Sequence, residues 1–282
     1  EAPVEETVPL HIRSDVSLRR GARVVDVATT IENSAEDHRL QLLLPSDAAD
    51  AQTYIAHTAF DLVTRPIALD TATSDWQEAD IVEKPFESLQ AVGQGNRGLA
   101  FLSGGGLHEG GVRDDRRRTM QVTLLRSFRR TVGTEGEKDG LELGTISCRY
   151  AIMPYAGNLP AAAALRETMR LQAGLLTRQT GKRPSGYPPL TGSNKHTLSF
   201  IEQEGDLILS TLKPAENDSG TLILRLWNPA DTDGTSTLRF HRAVSDAAIL
   251  RLDEEPCADS ANLKVDSQSV TLVAEPHRIV TL

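Results

Sequence analysis

The sequence is poor in aromatic residues. Phe, Trp and Tyr make up 4% of its 282 residues, with two Trp and four Tyr. Because sugar- and base-binding surfaces usually present aromatic platforms, this scarcity argues against a stand-alone carbohydrate-binding module. Trp76, in TSDWQEAD, is the candidate for an exposed platform, whereas Trp227 lies on an alternating segment and is predicted to be packed.

Long apolar runs are also missing. No run approaches the roughly 18 residues that read as a membrane-spanning helix, and the acidic opening EAPVEETVPL lacks the apolar stretch of a secretory signal. We therefore expect no membrane partner. The sequence opens with Glu1 rather than methionine, which predicts either a trimmed chain or an excised piece of a longer protein.

Cysteines and histidines are few and scattered. Cys148 and Cys257 have no CxxC neighbour, and none of the seven histidines lies at HxH or HxxxH spacing. We therefore expect no metal site and no cofactor in this chain. Cys148 alternates with Ile146 and Tyr150 and is predicted to be a small core residue, and Cys257 a loop thiol. This usage predicts a reducing compartment, the cytoplasm.

The charge balance is acidic. A net charge of -9 and a pI near 5.3 disfavour nucleic-acid binding, which needs a basic surface. The local surplus of arginine over residues 113–130 is predicted to mark a solvated strand edge. Asp114 and Asp115 are predicted to form a turn, because Asp suits turn positions through its side-chain hydrogen bonds. On a strand, the two neighbours would point to opposite faces and would not make the opposed carboxyl pair of a glycosidase.

Alternation of period two dominates the chain and predicts an antiparallel all-β protein. One short helix is expected near residues 161–173. The glycines of GGGLHEGG lack the GK[ST] ending of a P-loop and predict a flexible hairpin connection, and TGKRPSGYPPLTGSNK predicts a long irregular one. Strands are expected in RVVDVATTIEN, HRLQLLLP, GLAFLS, MQVTLLRS, GTISCRYAIMP and TLILRLWN.

Taken in order, several of these segments resemble the C-terminal region of family 38 glycoside hydrolases, the α-mannosidases. That family has a GLA-hydrophobic strand, a turn, a polar D-x-R-x-hydrophobic segment and then TLLRS. The same order occurs here as GLAFLS, the turn after it, RDDRRRTM and TLLRS. The resemblance covers residues 16–282, and EKPFESLQAVGQG departs from the family's HP-x-Q-x-F. Further similar segments are NSAEDHRL, AFDLVTRPI, LILRLWNP and PHRIVTL.

The resemblance implies a large antiparallel super-sandwich like that of galactose mutarotase, followed by a smaller β-sandwich. The turn-forming residues of PAENDSG interrupt the alternation near residue 215, which predicts the domains 1–215 and 216–282. In this family the nucleophilic Asp and the zinc ligands belong to an N-terminal domain that is not represented here. The implied function is that of a non-catalytic structural portion of an α-mannosidase. The expected partners are the N-terminal catalytic domain of the same chain, where zinc is expected, and a mannose-containing glycan.

Arg126, in TLLRS, is the main candidate for a residue at the rim of the sugar pocket of the longer enzyme that the resemblance implies, here called the parent. The planar guanidinium can orient a carboxylate or a sugar hydroxyl, and the equal alternative is an ion pair between strands. Asp114, Arg116 and Trp76 are weaker rim candidates.

The strand that carries Arg126 is predicted to be central, because both of its faces are apolar from Val122 onward. Residues 113–118 are expected to form a charged turn at its entrance. One face is predicted to carry Met120, Val122 and Leu124, and the other Gln121, Thr123 and Leu125.

Two other functions are compatible with the sequence. A mutarotase-like sugar-modifying enzyme needs an acid and a base in one cleft, for which His57, or His108 with Glu109, are the candidates. A carbohydrate-binding or assembly module would need no chemistry, and fold alone does not separate these functions.

Overall fold

The computed structural model describes residues 8–130, 136–176, 199–217, 220–257 and 263–282. The predicted irregular connection TGKRPSGYPPLTGSNK lies outside the described residues. The chain divides into two compact units, Glu1–Gln172 and Ala173–Leu282. In the described ranges, no helix has the length and apolarity needed to cross a membrane.

The described strands of the first unit form two antiparallel sheets. Seven strands pair in the order β1-β2-β11-β8-β7-β4-β5, and four in the order β3-β10-β9-β6. The strands are β1 His11–Ser17, β2 Val25–Asn33, β3 His38–Pro45, β4 Thr53–Thr58, β5 Asp61–Pro66, β6 Lys84–Pro85, β7 Leu89–Gln94, β8 Arg97–Ser103, β9 Glu109–Val112, β10 Thr119–Ser127 and β11 Gly144–Tyr155.

The two sheets enclose one apolar core. In β2 the predicted alternation is confirmed, since Val27, Thr29 and Ile31 are buried. In β11, Cys148 and Tyr150 are buried against the same core, which confirms Cys148 as a small core residue. The four-stranded sheet contributes Leu42, Leu44, Val112, Met120 and Val122 from its own inner face.

The helix α1, Ala161–Ala173, covers the other face of the seven-stranded sheet, and its bounds agree with the prediction. Its buried residues Ala164, Leu165, Thr168 and Leu171 recur at helical spacing. Gly174, at φ +60°, follows the last helical residue in the left-handed conformation typical of helix ends. On the same helix Met169 is exposed.

The glycine-rich segment before the charged turn is only partly a connection. Gly105 and Gly106 have positive φ angles and lie in a loop. Gly110 and Gly111, however, belong to β9 and pair with β10. A Cβ at Gly111 would lie 2.0 Å from the carbonyl oxygen of Val82, so this glycine permits close approach of two backbones.

The second unit is a smaller sandwich with its own core. Two described sheets have the orders β12-β15-β17-β16 and β13-β14-β18. Both contribute to one apolar cluster that includes Leu226, Leu238 and Leu272, and Trp227 is buried as predicted. The strands are β12 Ile201–Gly205, β13 Ile208–Pro214, β14 Leu222–Trp227, β15 Gly234–Phe240, β16 Leu263–Asp266, β17 Ser269–Ala274 and β18 Ile279–Thr281.

The all-β class, with a larger and a smaller sandwich and one described α-helix, is confirmed. The likeness to galactose mutarotase stays a prediction, as does the domain division 1–215 and 216–282. The compact units divide the chain earlier, at Gln172/Ala173. The reason is strand pairing: β12 and β13 precede residue 215 but pair with β15 and β14 of the second unit.

Candidate functional site: the polar face around Arg126

Arg126 lies near the end of β10, a strand paired on both sides, with β3 and β9. The prediction of a central strand is therefore confirmed, and the expectation that residues 113–130 form a solvated strand edge is wrong. Met120 and Val122 are fully buried, and Gln121 is buried on the opposite face.

A β-bulge determines which way Arg126 points. The register of β10 against β3 shifts between Thr123 and Leu125, so Leu125 lies opposite Leu40 and Arg126 opposite Arg39. The predicted alternation holds as far as Thr123 and then changes phase, because the bulge inserts one extra residue. Leu125 is consequently buried, not on the face of Thr123 as predicted, and Arg126 shares the outer face with Thr123.

Glu109 of β9 holds Arg126 on this outer face. Its carboxylate accepts a hydrogen bond from Arg126 Nη1 at 2.7 Å and another from the Thr123 hydroxyl at 2.9 Å. Arg39 Nη1 lies 3.6 Å from the same carboxylate. The predicted ion pair between strands is thus present, with two arginines sharing one glutamate.

Glu83 extends the network across the sheet. Its carboxylate lies 2.9 Å from Arg39 Nη2 and accepts a hydrogen bond from the Gln41 amide at 3.0 Å. Burial alone would raise the pKa of Glu83, but its own backbone N–H, the Gln41 amide and the Arg39 charge together hold it below the usual value. Glu83 is therefore ionised at neutral pH and is a poor proton donor.

We name the set Arg39, Gln41, Glu83, Glu109, Thr123 and Arg126 the Arg126 face. Arg126 keeps 58% of its side chain exposed, and its guanidinium carbon lies 5.5 Å from the centre of the Phe128 ring. A guanidinium fixed by a carboxylate and an aromatic ring can donate hydrogen bonds to a ligand oxygen at low entropic cost. The arrangement suits the binding and orientation of a ligand. The carboxylates of Glu83 and Glu109 are each paired with arginine and do not suit acid–base chemistry.

The predicted charged turn at the other end of β10 is confirmed. Asp115 Oδ1 accepts backbone hydrogen bonds from Arg117 and Thr119, each at 3.0 Å. Asp114 forms an ion pair with Arg118, whose Nε also donates to the Ala51 carbonyl at 2.9 Å.

The structure separates the predicted rim residues. Asp114 and Arg116 are exposed in the turn before β10, while Arg126 lies near its far end. At ~3.3 Å per residue the strand between them is roughly 25 Å long, so they do not share one small-molecule site. Trp76 is 67% exposed in a separate loop. Among the described contacts, none joins Trp76 to Arg126, Asp114 or Arg116.

The arginine surplus of residues 113–130 is largely neutralised by acids from other segments. Arg117 Nε lies 2.8 Å from Asp47, and Arg129 contacts both Glu36 and Asp37. The hydrogen bond from Arg129 holds the pKa of Asp37 below its usual value, and that from Arg117 does the same for Asp47. Because of these ion pairs, the arginine-rich segment 113–130 does not by itself indicate a basic binding surface.

The candidate histidines His57 and His108 are not arranged as the acid and base of a mutarotase-like site. His57 is buried, with Nδ1 2.7 Å from the Ser88 hydroxyl and Nε2 3.9 Å from Glu87. His108 Nδ1 lies 3.2 Å from the Glu87 carbonyl oxygen, whereas Glu109 is held by Thr123 and Arg126. Within the described part of the chain, no three His, Cys, Asp or Glu side chains gather into a group that could hold a metal ion.

Sequence reasoning found Arg126 but missed Arg39, Gln41 and Glu83. A signal existed for two of them, because Arg39 and Gln41 are two residues apart on a predicted strand and must share a face. Nothing in the sequence indicates that Glu83, on a distant segment, reaches that face.

Comparison with known proteins relates the whole chain to much longer ones. Residues 206–282 match the model described as Glycosyl hydrolases family 38 C-terminal beta sandwich domain. Over 99% of its length the chain is 25% identical to a putative mannosylglycerate hydrolase of Halalkalibacterium halodurans, of which the match covers 29%.

Two solved structures share the fold. An α-mannosidase from Enterococcus faecalis matches 98% of this chain and 29% of its own, with a TM-score of 0.77 and 19% identity. A glycosyl hydrolase family 38 protein from Enterococcus faecalis matches 97% of this chain and 30% of its own, with a TM-score of 0.76 and 20% identity. The chain therefore spans less than a third of the length of these relatives. By the matched segment over residues 206–282 and by its two successive sandwiches, the chain is similar to the C-terminal β region of the family 38 glycoside hydrolases.

Proposed function

We propose that this chain is the non-catalytic C-terminal portion of an α-mannosidase and supports a catalytic domain encoded elsewhere in the parent protein. The observation that carries the proposal is coverage: almost the whole chain aligns, yet it accounts for only 29% of the mannosylglycerate hydrolase it matches. The remaining two-thirds of such a protein is the proposed partner and the proposed location of the catalytic residues.

The parent would hydrolyse α-mannosides with the help of zinc. The relatives' names point to α-mannosidase and mannosylglycerate hydrolase chemistry, and a retaining glycosidase needs two facing carboxyl groups about 5 Å apart. The described residues do not fit a zinc site, so no step of the reaction is assigned to them. A cytoplasmic location stays a prediction, supported by Cys148 and Cys257, which are not joined in a disulfide.

Expression of the 282-residue chain alone and of the full reading frame that contains it tests this proposal. With zinc present, the full product should hydrolyse an aryl α-mannoside, and the 282-residue chain should not. Hydrolysis by the 282-residue chain would overturn the non-catalytic assignment. A full product without mannoside hydrolysis would overturn the assignment of the parent.

We also propose that Arg126 contributes to the rim of the parent's sugar pocket. Its exposed guanidinium, held by Glu109 and stacked near Phe128, is better fixed for this role than Asp114, Arg116 or Trp76. A mannose-containing glycan is then the proposed ligand of this face, through its hydroxyl oxygens.

Arg126→Ala in the parent should raise KM for the mannoside by about tenfold or more, because a hydrogen bond from a charged group contributes roughly 1.5–3 kcal/mol. Arg117→Ala is the matched control, since Arg117 also forms an exposed ion pair, with Asp47, but lies in the turn. Equal KM values for the two variants and the wild type would leave Arg126 with only its structural role between strands.

A further inference from the structure

β1, the first described strand, has an apolar face that the described part of the structure leaves uncovered. From residue 8 to 18 the even positions are apolar except Ser14, and the odd positions from His11 onward are polar. Such alternation is typical of a strand with one buried face. All seven residues of β1 are nonetheless exposed. The exposed fractions are 56% for Val8, 48% for Ile12, 65% for Val16 and 69% for Leu18.

The register of β1 against β2 shows which face this is. Ile12 lies opposite Ile31 and Val16 opposite Val27. Both partners are buried, and Val27 belongs to the core between the sheets. Opposite residues of an antiparallel pair lie on the same face of a sheet. The apolar side of β1 is therefore an extension of the core face, beyond the part that the four-stranded sheet covers.

Among the described strands, the outer edge of β1 is unpaired as well. β1 is the terminal strand of the seven-stranded sheet, so a row of its backbone N–H and C=O groups has no partner in the described strands. Natural proteins usually protect such edges with charges or cover them. The charges on β1, Arg13 and Asp15, pair with each other at 3.0 Å on the polar face, and they leave the apolar face without protection.

We propose that this face, formed by Ile12 and Val16 of β1 and flanked in the chain by the exposed Val8 and Leu18, is the docking surface for an apolar segment of the parent protein that precedes the β region. The inference rests on the proposed function, because the occupant belongs to the two-thirds of the parent that this chain does not represent. The size of the patch favours an occupant in the same polypeptide. Four partly exposed aliphatic side chains bury far less than the roughly 800 Å² per partner of a stable complex between separate molecules.

An intramolecular partner removes that difficulty. Covalent linkage supplies a high effective concentration, so a small apolar contact suffices to keep a neighbouring segment in place. Burial of the four side chains would then complete the sandwich at its open side.

Hydrogen exchange compares β1 in two settings: the 282-residue chain and the full parent protein. In the parent, the amides of residues 11–17 should exchange more slowly by about tenfold or more, which corresponds to about 1.4 kcal/mol of added local stability. Equal exchange in both settings would overturn the proposal.

Paired variants assign the effect to one face. Ile12→Asp with Val16→Asp places two carboxylates on the apolar face, and His11→Asp with Ser17→Asp places two on the polar face of the same strand. In the parent, the first pair should abolish the slow exchange and the second should preserve it. A similar response to both pairs would contradict docking through the apolar face.

Two further outcomes are distinguishable. The 282-residue chain could instead form a dimer in sedimentation that the double variant Ile12→Asp with Val16→Asp dissociates. If the amides of residues 11–17 then exchange no more slowly in the parent than in the 282-residue chain, the occupant is a second copy and the proposal fails. If the parent hydrolyses mannosides but its β1 is not protected, the docking inference fails while the proposed function stands. A parent without mannoside hydrolysis refutes the proposed function instead.

Discussion

Among single residues, His57 links the stability of the first unit to pH. Its Nδ1 lies 2.7 Å from the Ser88 hydroxyl, which in turn donates to the Thr168 hydroxyl on α1 at 3.5 Å. Burial lowers the pKa of His57 below the ordinary 6.5, although the nearby charges of Glu87 and Asp61 act in the opposite direction. The folded state therefore favours the neutral imidazole.

His57 should make the protein less stable in mild acid. The unfolded chain takes up a proton at His57 as pH falls below about 6.5, before the folded protein does, so the stability that His57 contributes is complete above that pH and is lost below it. The free energy of unfolding, measured with urea, should fall by up to about 1.4 kcal/mol per pH unit from this one group. His57→Gln should reduce that slope between pH 6.5 and 5.

The control for this prediction is His108→Gln, because His108 is exposed and its ring contacts only one backbone carbonyl among the described residues. An identical pH slope in wild type and His57→Gln would show that His57 does not carry the effect.

The sequence predicts the environment of some residues better than that of others. Trp227 and Cys148 sit on alternating segments, and their burial follows from period two alone. The partners of His57 and of Arg126 cannot be predicted in this way. Only the tertiary fold brings together the separate segments that contain them, which supply Ser88 and Thr168 for His57 and Glu109 and Arg39 for Arg126.

Among the elements, the turn between β9 and β10 provides a comparison of two adjacent carboxylates. Asp115 accepts two backbone hydrogen bonds that close the turn. Its burial alone would raise its pKa, but hydrogen bonds from Thr119 and Arg117 lower it. Asp114 is exposed and contacts only the Arg118 side chain among the described groups.

Asp115→Ala should lower the free energy of unfolding by about 1–3 kcal/mol, since it leaves turn N–H groups without their acceptor. Asp114→Ala should cost less than about 1 kcal/mol, the usual range of an exposed ion pair. Urea denaturation of both variants measures the difference. Equal losses would show that the turn does not depend on the Asp115 hydrogen bonds.

Regular elements were predictable from sequence, and departures from regularity were not. The bounds of β3 and α1 match the predicted segments, because each has a clean periodic pattern and a clear end. The bulge after Thr123 was missed, since it arises from how β10 pairs with β3 and leaves no mark in the alternation of β10 itself. The composition of the Arg126 face could not be predicted from the sequence either, because the bulge determines which residues of β10 share that face.

At the scale of the whole molecule, the chain divides into two compact units between Gln172 and Ala173. The sequence predicts a boundary after residue 215, where a loop of turn-forming residues interrupts the alternation. Strand order gives a different answer, because β12 and β13 lie before that loop but form part of the second sandwich. Pairing between strands is a long-range property, which a local change of composition does not reveal.

Two fragments distinguish these boundaries. Fragment 173–282 keeps all seven described strands of the second unit and should unfold cooperatively in urea, with the sheet signature in circular dichroism. Fragment 216–282 lacks β12 and β13, so β14 and β15 each lose a partner strand and the core loses Leu207, which is fully buried. It should therefore not fold on its own, because two- and three-stranded remnants without a complete apolar core are marginal at best. Cooperative unfolding of fragment 216–282, equal in midpoint to that of 173–282, would restore the boundary after residue 215.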